Sequence, residues 1–220
     1  MNKILLAWSS GKDSAWALHV LRNQGVPVAG LLTTINHQAD RVAMHGVRRT
    51  LLEAQGRAAG LPLSQVPLPW PCSNDEYEAA MAEACRAAVA EGFDSIAFGD
   101  LFLRDVREYR ERQLAGSGLA PLFPLWDMPT AGLAREMISA GLRARLTCID
   151  TNQLDARFAG REFDRALLDE LPATADPCGE KGEFHSFAYA GPMFECAIPV
   201  QAGELHIAEG FVFADLLPAS

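Results

Sequence analysis

Apolar residues fall into two textures along the chain. Over roughly the first two thirds, short continuous apolar runs alternate with stretches of helical period. The runs are Ile4–Trp8, Val28–Ile35, Leu63–Leu68, Ser95–Gly99, Leu122–Trp126 and Leu142–Ile149. Between them, residues 75–91 place Tyr77, Met81, Ala84, Cys85 and Ala88 on one helical face and Glu76, Glu83 and Arg86 off it. Residues 45–59, 105–116 and 130–140 read as helices by the same test. Ser73 and Glu76 have the spacing of a capping box, in which each side chain satisfies the other residue's backbone amide. Gly25, Gly60, Gly92, Gly118 and Gly141 each close such a stretch and precede an apolar residue, the usual helix stop. Strands that are apolar throughout are buried on both faces. The expected fold is therefore α/β, a Rossmann-like parallel sheet with helices on both faces.

Beyond about residue 150 the period changes to two. A polar segment, 151–165, and a short helix near 162–170 lead into alternating positions. These are Phe187 and Tyr189, then Phe194, Cys196, Ile198 and Val200, then Leu205 and Ile207, then Phe211 and Phe213. Antiparallel strands are expected there, and the chain divides into a unit at 1–140 and a smaller mixed α+β unit at 141–220.

Composition narrows the picture modestly. Apolar residues make up 49% of 220, enough for a packed core and too many for a disordered chain. The net charge of −9 argues against nucleic acid as the main partner. No apolar run approaches the ~20 residues that span a bilayer, and the first residues lack a signal-peptide pattern. No membrane partner and a cytoplasmic location are expected, and a homo-oligomer is left open. Cysteines 72, 85, 148, 178 and 196 include no Cys-x-x-Cys pair, against a disulfide framework or an iron–sulfur site. Sixteen arginines to three lysines, with abundant alanine, point to a GC-rich bacterial genome.

Candidate chemistry begins at Ser9-Ser10-Gly11-Lys12-Asp13-Ser14, where the first apolar run stops and a helical pattern starts. Unpaired amides at a helix start carry partial positive charge and suit a phosphate. Ser9, Ser10 and Ser14 add hydroxyls, Lys12 adds a charge, and Gly11 permits close backbone approach. The spacing is neither Walker A nor a dinucleotide fingerprint. It resembles the Ser-Gly-Gly-x-Asp-Ser loop of ATP enzymes that split between the α and β phosphates, with Ser10 in place of the first glycine.

Ligands of open parallel sheets sit beyond the carboxyl ends of the strands. Thr33 and Thr34 end the second run, and Gly99-Asp100 ends the fourth. Thr33 is a candidate for the nucleotide base, Gly99 for close approach of ribose or phosphate, and Asp13 and Asp100 for Mg²⁺. Plain strand-forming threonine and a helix N-cap at Asp100 are the alternatives. Arg104, Arg107 and Arg110 recur at threes, either as an anion site or as a solvated face paired with Glu108 and Glu111. Asp176-Pro177-Cys178-Gly179-Glu180-Lys181-Gly182-Glu183-Phe184-His185 is the second unusual stretch. It fits no zinc spacing. A rigid turn aiming Glu180, Glu183 and His185 at the crevice is expected. His45 is placed at a helix start, either as a cap or as a nucleotide contact.

Together the two stretches resemble the diphthine–ammonia ligase family of pyrophosphatase-loop ATPases. The residues that carry this are Ser9 to Ser14, Ala97-Phe98-Gly99-Asp100, Pro124-Leu125-Trp126, and Cys178-Gly179-Glu180-Lys181-Gly182-Glu183-Phe184-His185-Ser186 with Gly191-Pro192. The resemblance implies an adenine nucleotide alpha hydrolase-like domain followed by a substrate domain. It also implies ATP and Mg²⁺, a carboxylate carried by a small molecule or a protein, and ammonia as the nucleophile. The acid would be activated as an acyl adenylate with release of AMP and pyrophosphate. Ser9, Ser10, Gly11, Lys12, Asp13 and Ser14 would hold the phosphates. Lys12, Asp13, Glu180, Glu183 and His185 would serve the chemistry, the last three from the substrate side. Alternatives are amidation of another acid such as a corrinoid carboxylate, a tRNA-modifying pyrophosphatase-loop enzyme, and a nucleotide-binding regulator.

Overall fold

A computed structural model describes residues 3–219. The first unit runs β1 (Ile4–Ala7), α1 (Lys12–Asn23), β2 (Val28–Asn36), β3 (Arg41–Val42), α2 (Arg49–Ala58), β4 (Leu63–Leu68), α3 (Asn74–Ala90), β5 (Ser95–Ala97), α4 (Arg104–Leu114), β6 (Ala120–Leu122) and α5 (Thr130–Ser139). There follow β7 (Arg143–Asp150), α6 (Arg165–Glu170), β8 (Phe184–Ala190), β9 (Val200–Ala208) and β10 (Phe211–Pro218). Among the described residues no helix is long and apolar enough to cross a membrane.

The larger sheet is mostly parallel. β2 pairs with β1 and β4, β1 pairs with β5, and β5 pairs with β6, all in parallel, while β3 adds a short antiparallel pair at the end of β2. From β1 the chain moves outward to β2 and β4, then returns to β5 on the other side of β1. That reversal opens a crevice beyond the carboxyl ends of β1 and β5, where loops 8–11 and 98–103 begin. Successive residues of β1 serve opposite cores. Leu6 packs with Trp16, Leu18 and Leu52, whereas Leu5 packs with Cys85, Ile96 and Leu114 under α3 and α4.

The second sheet is antiparallel, in the order β8-β7-β10-β9. Its apolar side is not a separate core. Leu146, Phe184, Phe187 and Met193 belong to the same buried cluster as Trp8, Trp16 and Leu52. Three polar links reinforce the contact. The Ala188 amide donates to the Ser10 carbonyl at 3.0 Å. Asp215 of β10 holds Arg41 at 2.8 Å and Arg48 at 2.6 Å. Fully buried Gln55 of α2 accepts from the Trp8 indole at 2.8 Å and donates to the Ser10 and Ala188 carbonyls at 2.9 and 2.6 Å.

Several expectations shift. The 142–149 run forms a strand, but as β7 of the antiparallel sheet, between β8 and β10. The strand placed at 122–126 lies at Ala120–Leu122. The helix expected from residue 45 starts at Arg49, because Met44 and Gly46 hold left-handed backbone (φ 64° and 66°) that a helix cannot include. Residues 194–198 form no strand, despite their alternation. The capping box at Ser73 and Glu76 forms with both bonds present.

Gln55→Ala should lower unfolding free energy by about 2–4 kcal/mol, since it strands a buried indole N–H and deprives two buried carbonyls of a donor. Urea denaturation followed by fluorescence measures this. A loss under about 0.5 kcal/mol would show that water satisfies these groups equally well.

Candidate active site

The crevice is a cleft of about 620 Å³, within the usual range for small-molecule sites. Four segments line it: the first loop, the ends of β2 and β5, loop 43–45, and residues 179–186. The sequence-predicted residues Ser9, Lys12, Asp13, Ser14, Thr33, Gly99, Asp100, Glu180 and His185 are all on its walls. Ser10, Gly11 and Glu183 are not.

The first loop is held from inside. Ser9 and Ser14 hydroxyls lie 3.2 Å apart, the Gly11 amide donates to Ser9 Oγ at 3.3 Å, and Ser14 Oγ donates to the Gly11 carbonyl at 3.0 Å. Ser10 takes the left-handed backbone that glycine adopts without cost (φ 69°). Its side chain is buried and without a hydrogen-bond partner, so the expected donor at this position is turned away from the cleft. Gly11 makes room for a side chain: a Cβ there would sit 2.9 Å from Cε1 of His45. Gly99 likewise lets α1 approach, since a Cβ would lie 3.0 Å from the backbone of Asp13 and Ser14. Asp100 is no N-cap; Leu103 occupies that position before α4.

Lys12 is 1% exposed and already engaged. Its ammonium donates to Asp13 Oδ2 at 2.8 Å and to the Cys178 carbonyl, beneath the Phe184 ring at 5.2 Å. Burial works against its charge, but Asp13, Cys178 and Glu180 together outweigh this and hold its pKa above the ordinary value. The Lys12 amide donates to Ser186 Oγ at 3.2 Å. The helix start is thus braced by β8.

The second stretch divides its carboxylates between two tasks. Glu183 is 1% exposed and faces inward, against expectation. It accepts from the Asp176 amide at 2.6 Å and the Lys181 amide at 3.0 Å, so it ties the turn together. Asp176 does the same for the Cys178 amide at 2.9 Å, and anchors to Thr130 Oγ1 at 2.7 Å. Glu180, so presented, reaches the cleft and accepts from the Leu101 amide at 2.7 Å. Cys178 is buried and its thiol is pushed well above the ordinary range, chiefly by burial, so it is no nucleophile.

His45 is the site residue that sequence reasoning underrated. Its Nδ1 lies 3.2 Å from the Ser186 carbonyl, which can only accept, so Nδ1 carries the proton and Nε2 is a free acceptor. Its ring meets His185 with centroids 4.5 Å apart. Both imidazoles are held neutral, His45 with a pKa of about 3 through burial, His185 and Lys12, and His185 at about 4 through burial and Lys12. The left-handed Met44 and the Arg41–Asp215–Arg48 clamp set this loop, and neither is visible as periodicity.

Carboxylates crowd the cleft. Burial lifts the Asp13 pKa against the pull of Lys12. Burial also lifts Asp100, with Asp13 adding to it, while Arg110 opposes. Glu180 is pushed up to about 7 by burial, with Asp13 and Asp100 adding and the Leu101 amide opposing. Asp13 Oδ1, Asp100 Oδ2 and Thr33 Oγ1 are buried without a hydrogen-bond partner. Among the described residues no cluster of three or more metal-ligating side chains exists. Two orphaned carboxylate oxygens beside a phosphate loop nevertheless suit Mg²⁺, which takes one or two carboxylates and completes its shell with water and phosphate.

Fold and site together define an α/β protein whose cleft opens at the loop after β1 and is finished by a second, antiparallel unit. The diphthamide synthase N-terminal domain matches residues 1–120 and the diphthamide synthase C-terminal domain matches residues 129–215; the chain belongs to this family. Diphthine–ammonia ligase of Homo sapiens is 29% identical over 185 residues, and that of Bos taurus 28%. Each alignment covers 80% of this chain and 66% of the relative, so the chain spans just under two thirds of these curated relatives. Among solved structures, the U34-tRNA thiolase NcsA of Methanococcus maripaludis with its [4Fe-4S] cluster aligns with 63% of this chain and 56% of its own, at 18% identity and a TM-score of 0.39.

The Glu180 folded-state pKa lies above the ordinary 4.5, so folding favours the protonated form. That stability is present in full below about pH 4 and is lost as pH rises through about 7. Carboxyl-resolved NMR of the nucleotide-free protein should show one glutamate titrating at about 7. The signal should vanish in Glu180→Gln. A Glu180 midpoint below about 5 would contradict the crowding described above.

Proposed function

We propose that this protein is an ATP-dependent carboxylate–ammonia ligase acting through an acyl adenylate. The observation that carries the proposal is the junction of the two motifs in one cleft: the phosphate loop and Asp100 on one wall, Glu180 and the histidine pair on the other. The names of the relatives, diphthine–ammonia ligases, favour ammonia as nucleophile and a carboxylate, borne on a protein or a small molecule, as the group it attacks. A cytoplasmic enzyme fits this role, with ammonia free or delivered by a partner.

The chemistry follows from charge. A carboxylate oxygen of the substrate attacks the α phosphorus, the new O–P bond forms, and the bond to the β phosphate breaks with its electron pair leaving on pyrophosphate. Negative charge gathers on the phosphoryl oxygens. The hydroxyls of Ser9 and Ser14 line the cleft and are fixed by the loop's own hydrogen bonds before reaction, so little reorganisation is needed as charge develops. Asp13 and Asp100 would hold Mg²⁺, which supplies charge neutralisation across the phosphates. Lys12, tied to the Cys178 carbonyl, fixes the loop against the second unit and contributes its field from below.

Ammonia then attacks the acyl carbon. The C–N bond forms, the C–O bond to AMP breaks, and the nitrogen sheds a proton. Glu180 is suited to take it, because a carboxylate with a pKa of about 7 is a stronger base than an ordinary one and keeps an ionised fraction at neutral pH. The neutral His45 and His185 rings offer uncharged acceptors to an N–H.

Incubation with ATP, Mg²⁺, ammonium and candidate acids should release AMP and pyrophosphate; ADP with orthophosphate would sink the adenylate. Asp13→Ala should weaken ATP binding and abolish turnover. Glu180→Gln should leave ATP binding within about threefold and lower the amidation rate by about 10²–10⁴, the usual worth of a general base. At fixed free ammonia, that rate should climb with pH in the wild type as Glu180 ionises and stay flat in Glu180→Gln.

A further inference from the structure

A second hollow, of about 330 Å³, lies between α3 and α4 over β5. It opens beside the nucleotide cleft, and Tyr77, Met81, Phe98 and Arg110 line both. Its walls are apolar and aromatic, with Tyr109 opposite Met81 and Cys85 beneath. The chain as a whole carries −9, yet Arg86 and Arg110 face this hollow, and among the described residues no aspartate or glutamate lines it. The lining therefore selects a ligand with an apolar stem and a negative end.

The three arginines spaced at threes separate in the structure. Arg104 is exposed. Arg107 is paired with Glu111 at 2.8 Å and packed between the Phe123 and Trp126 rings, 4.7 Å from each. Arg110 alone lies at the junction of the hollow and the cleft. Its guanidinium lies over the Phe98 ring at 5.0 Å, and its Nε is buried without a hydrogen-bond partner, with Asp100 at 3.5 Å. A guanidinium fork matches a carboxylate with two parallel hydrogen bonds.

We propose that the groove between α3 and α4 is the acceptor subsite: it takes the apolar stem of a carboxylic acid, whose carboxylate is held by Arg110 at the mouth shared with the nucleotide cleft. This deepens the ligase reading and rests on it for the purpose of the site. It names the substrate class as a compact acid with an aliphatic or aromatic stem. The location answers a geometric need, because the attacking oxygen must border the phosphates while the remainder of the acid stays out of the space ATP occupies. Asp100 shares Arg110 at 3.5 Å, so a cation at Asp100 would strengthen acid binding without being required for it.

The groove is tested without nucleotide. Saturation-transfer NMR on the full chain uses 4-phenylbutyrate as the probe and 4-phenylbutyramide as its uncharged match. The acid should bind and the amide should bind at least about tenfold more weakly, the loss expected for a charged hydrogen-bond pair. Arg110→Gln should reduce the acid to the level of the amide, with Arg110→Lys intermediate. Ala82→Trp, on the exposed part of the groove lining and away from the cleft walls, should block the acid and leave ATP affinity at the wild-type value. Equal binding of acid and amide, no binding of the acid at millimolar concentration, or acid binding untouched by Ala82→Trp would overturn the proposal. Failure of the ligase reading registers separately, as wild-type protein that does not bind ATP or forms ADP.

Discussion

The carbonyl of Ser10 fixes the site. In a phosphate loop the amides face the ligand, so the carbonyls must find partners on the other side. Here that side is buried, and a buried carbonyl without a donor costs on the order of 1–3 kcal/mol. Ser10 accepts from both the Ala188 amide and Gln55 Nε2, and the Lys12 amide and ammonium are met by Ser186 and the Cys178 carbonyl. The loop is therefore completed by residues more than 160 positions later in the chain. The parallel sheet supplies its position but not its satisfaction. The apolar core likewise runs unbroken into the second unit.

The same economy of partners accounts for the charge in the cleft. Lys12 is taken up by Asp13 and the Cys178 carbonyl and Arg110 by Asp100, yet burial still works against charge on Asp13, Asp100 and Glu180. Their raised pKa values express that imbalance.

Much of this was legible in the sequence. Uninterrupted apolar runs favour a parallel sheet, and glycine stops mark its helices; the strand ends at Ser9, Thr33 and Gly99-Asp100 follow from topology and do converge on the cleft. What the sequence hid is what depends on partners remote in the chain. Glu180 and Glu183 are alike in composition and opposite in use, because which one faces inward depends on the Asp176 and Lys181 amides. Ser10 reads as a hydroxyl donor, yet its left-handed backbone turns the side chain into the core. β7 looks like one more parallel strand, since a strand buried on both faces has the same texture in either kind of sheet. His45 is set by Asp215, 170 residues on, through arginines that read as surface charge.

Glu183 shows why the second motif is so dense. A turn that must present one carboxylate to a cleft, donate a carbonyl to Lys12 and place a histidine against His45 has its polar backbone drawn in three directions. Left alone, such a turn would exchange these bonds with water and lose the alignment. Glu183 and Asp176 occupy the inward amides, with Gly179 and Gly182 in left-handed backbone that a side chain would strain. A Cβ at residue 179 would also meet the Phe184 carbonyl at 2.8 Å. Two of the carboxylates thus hold the turn, so that the third, Glu180, reaches the cleft.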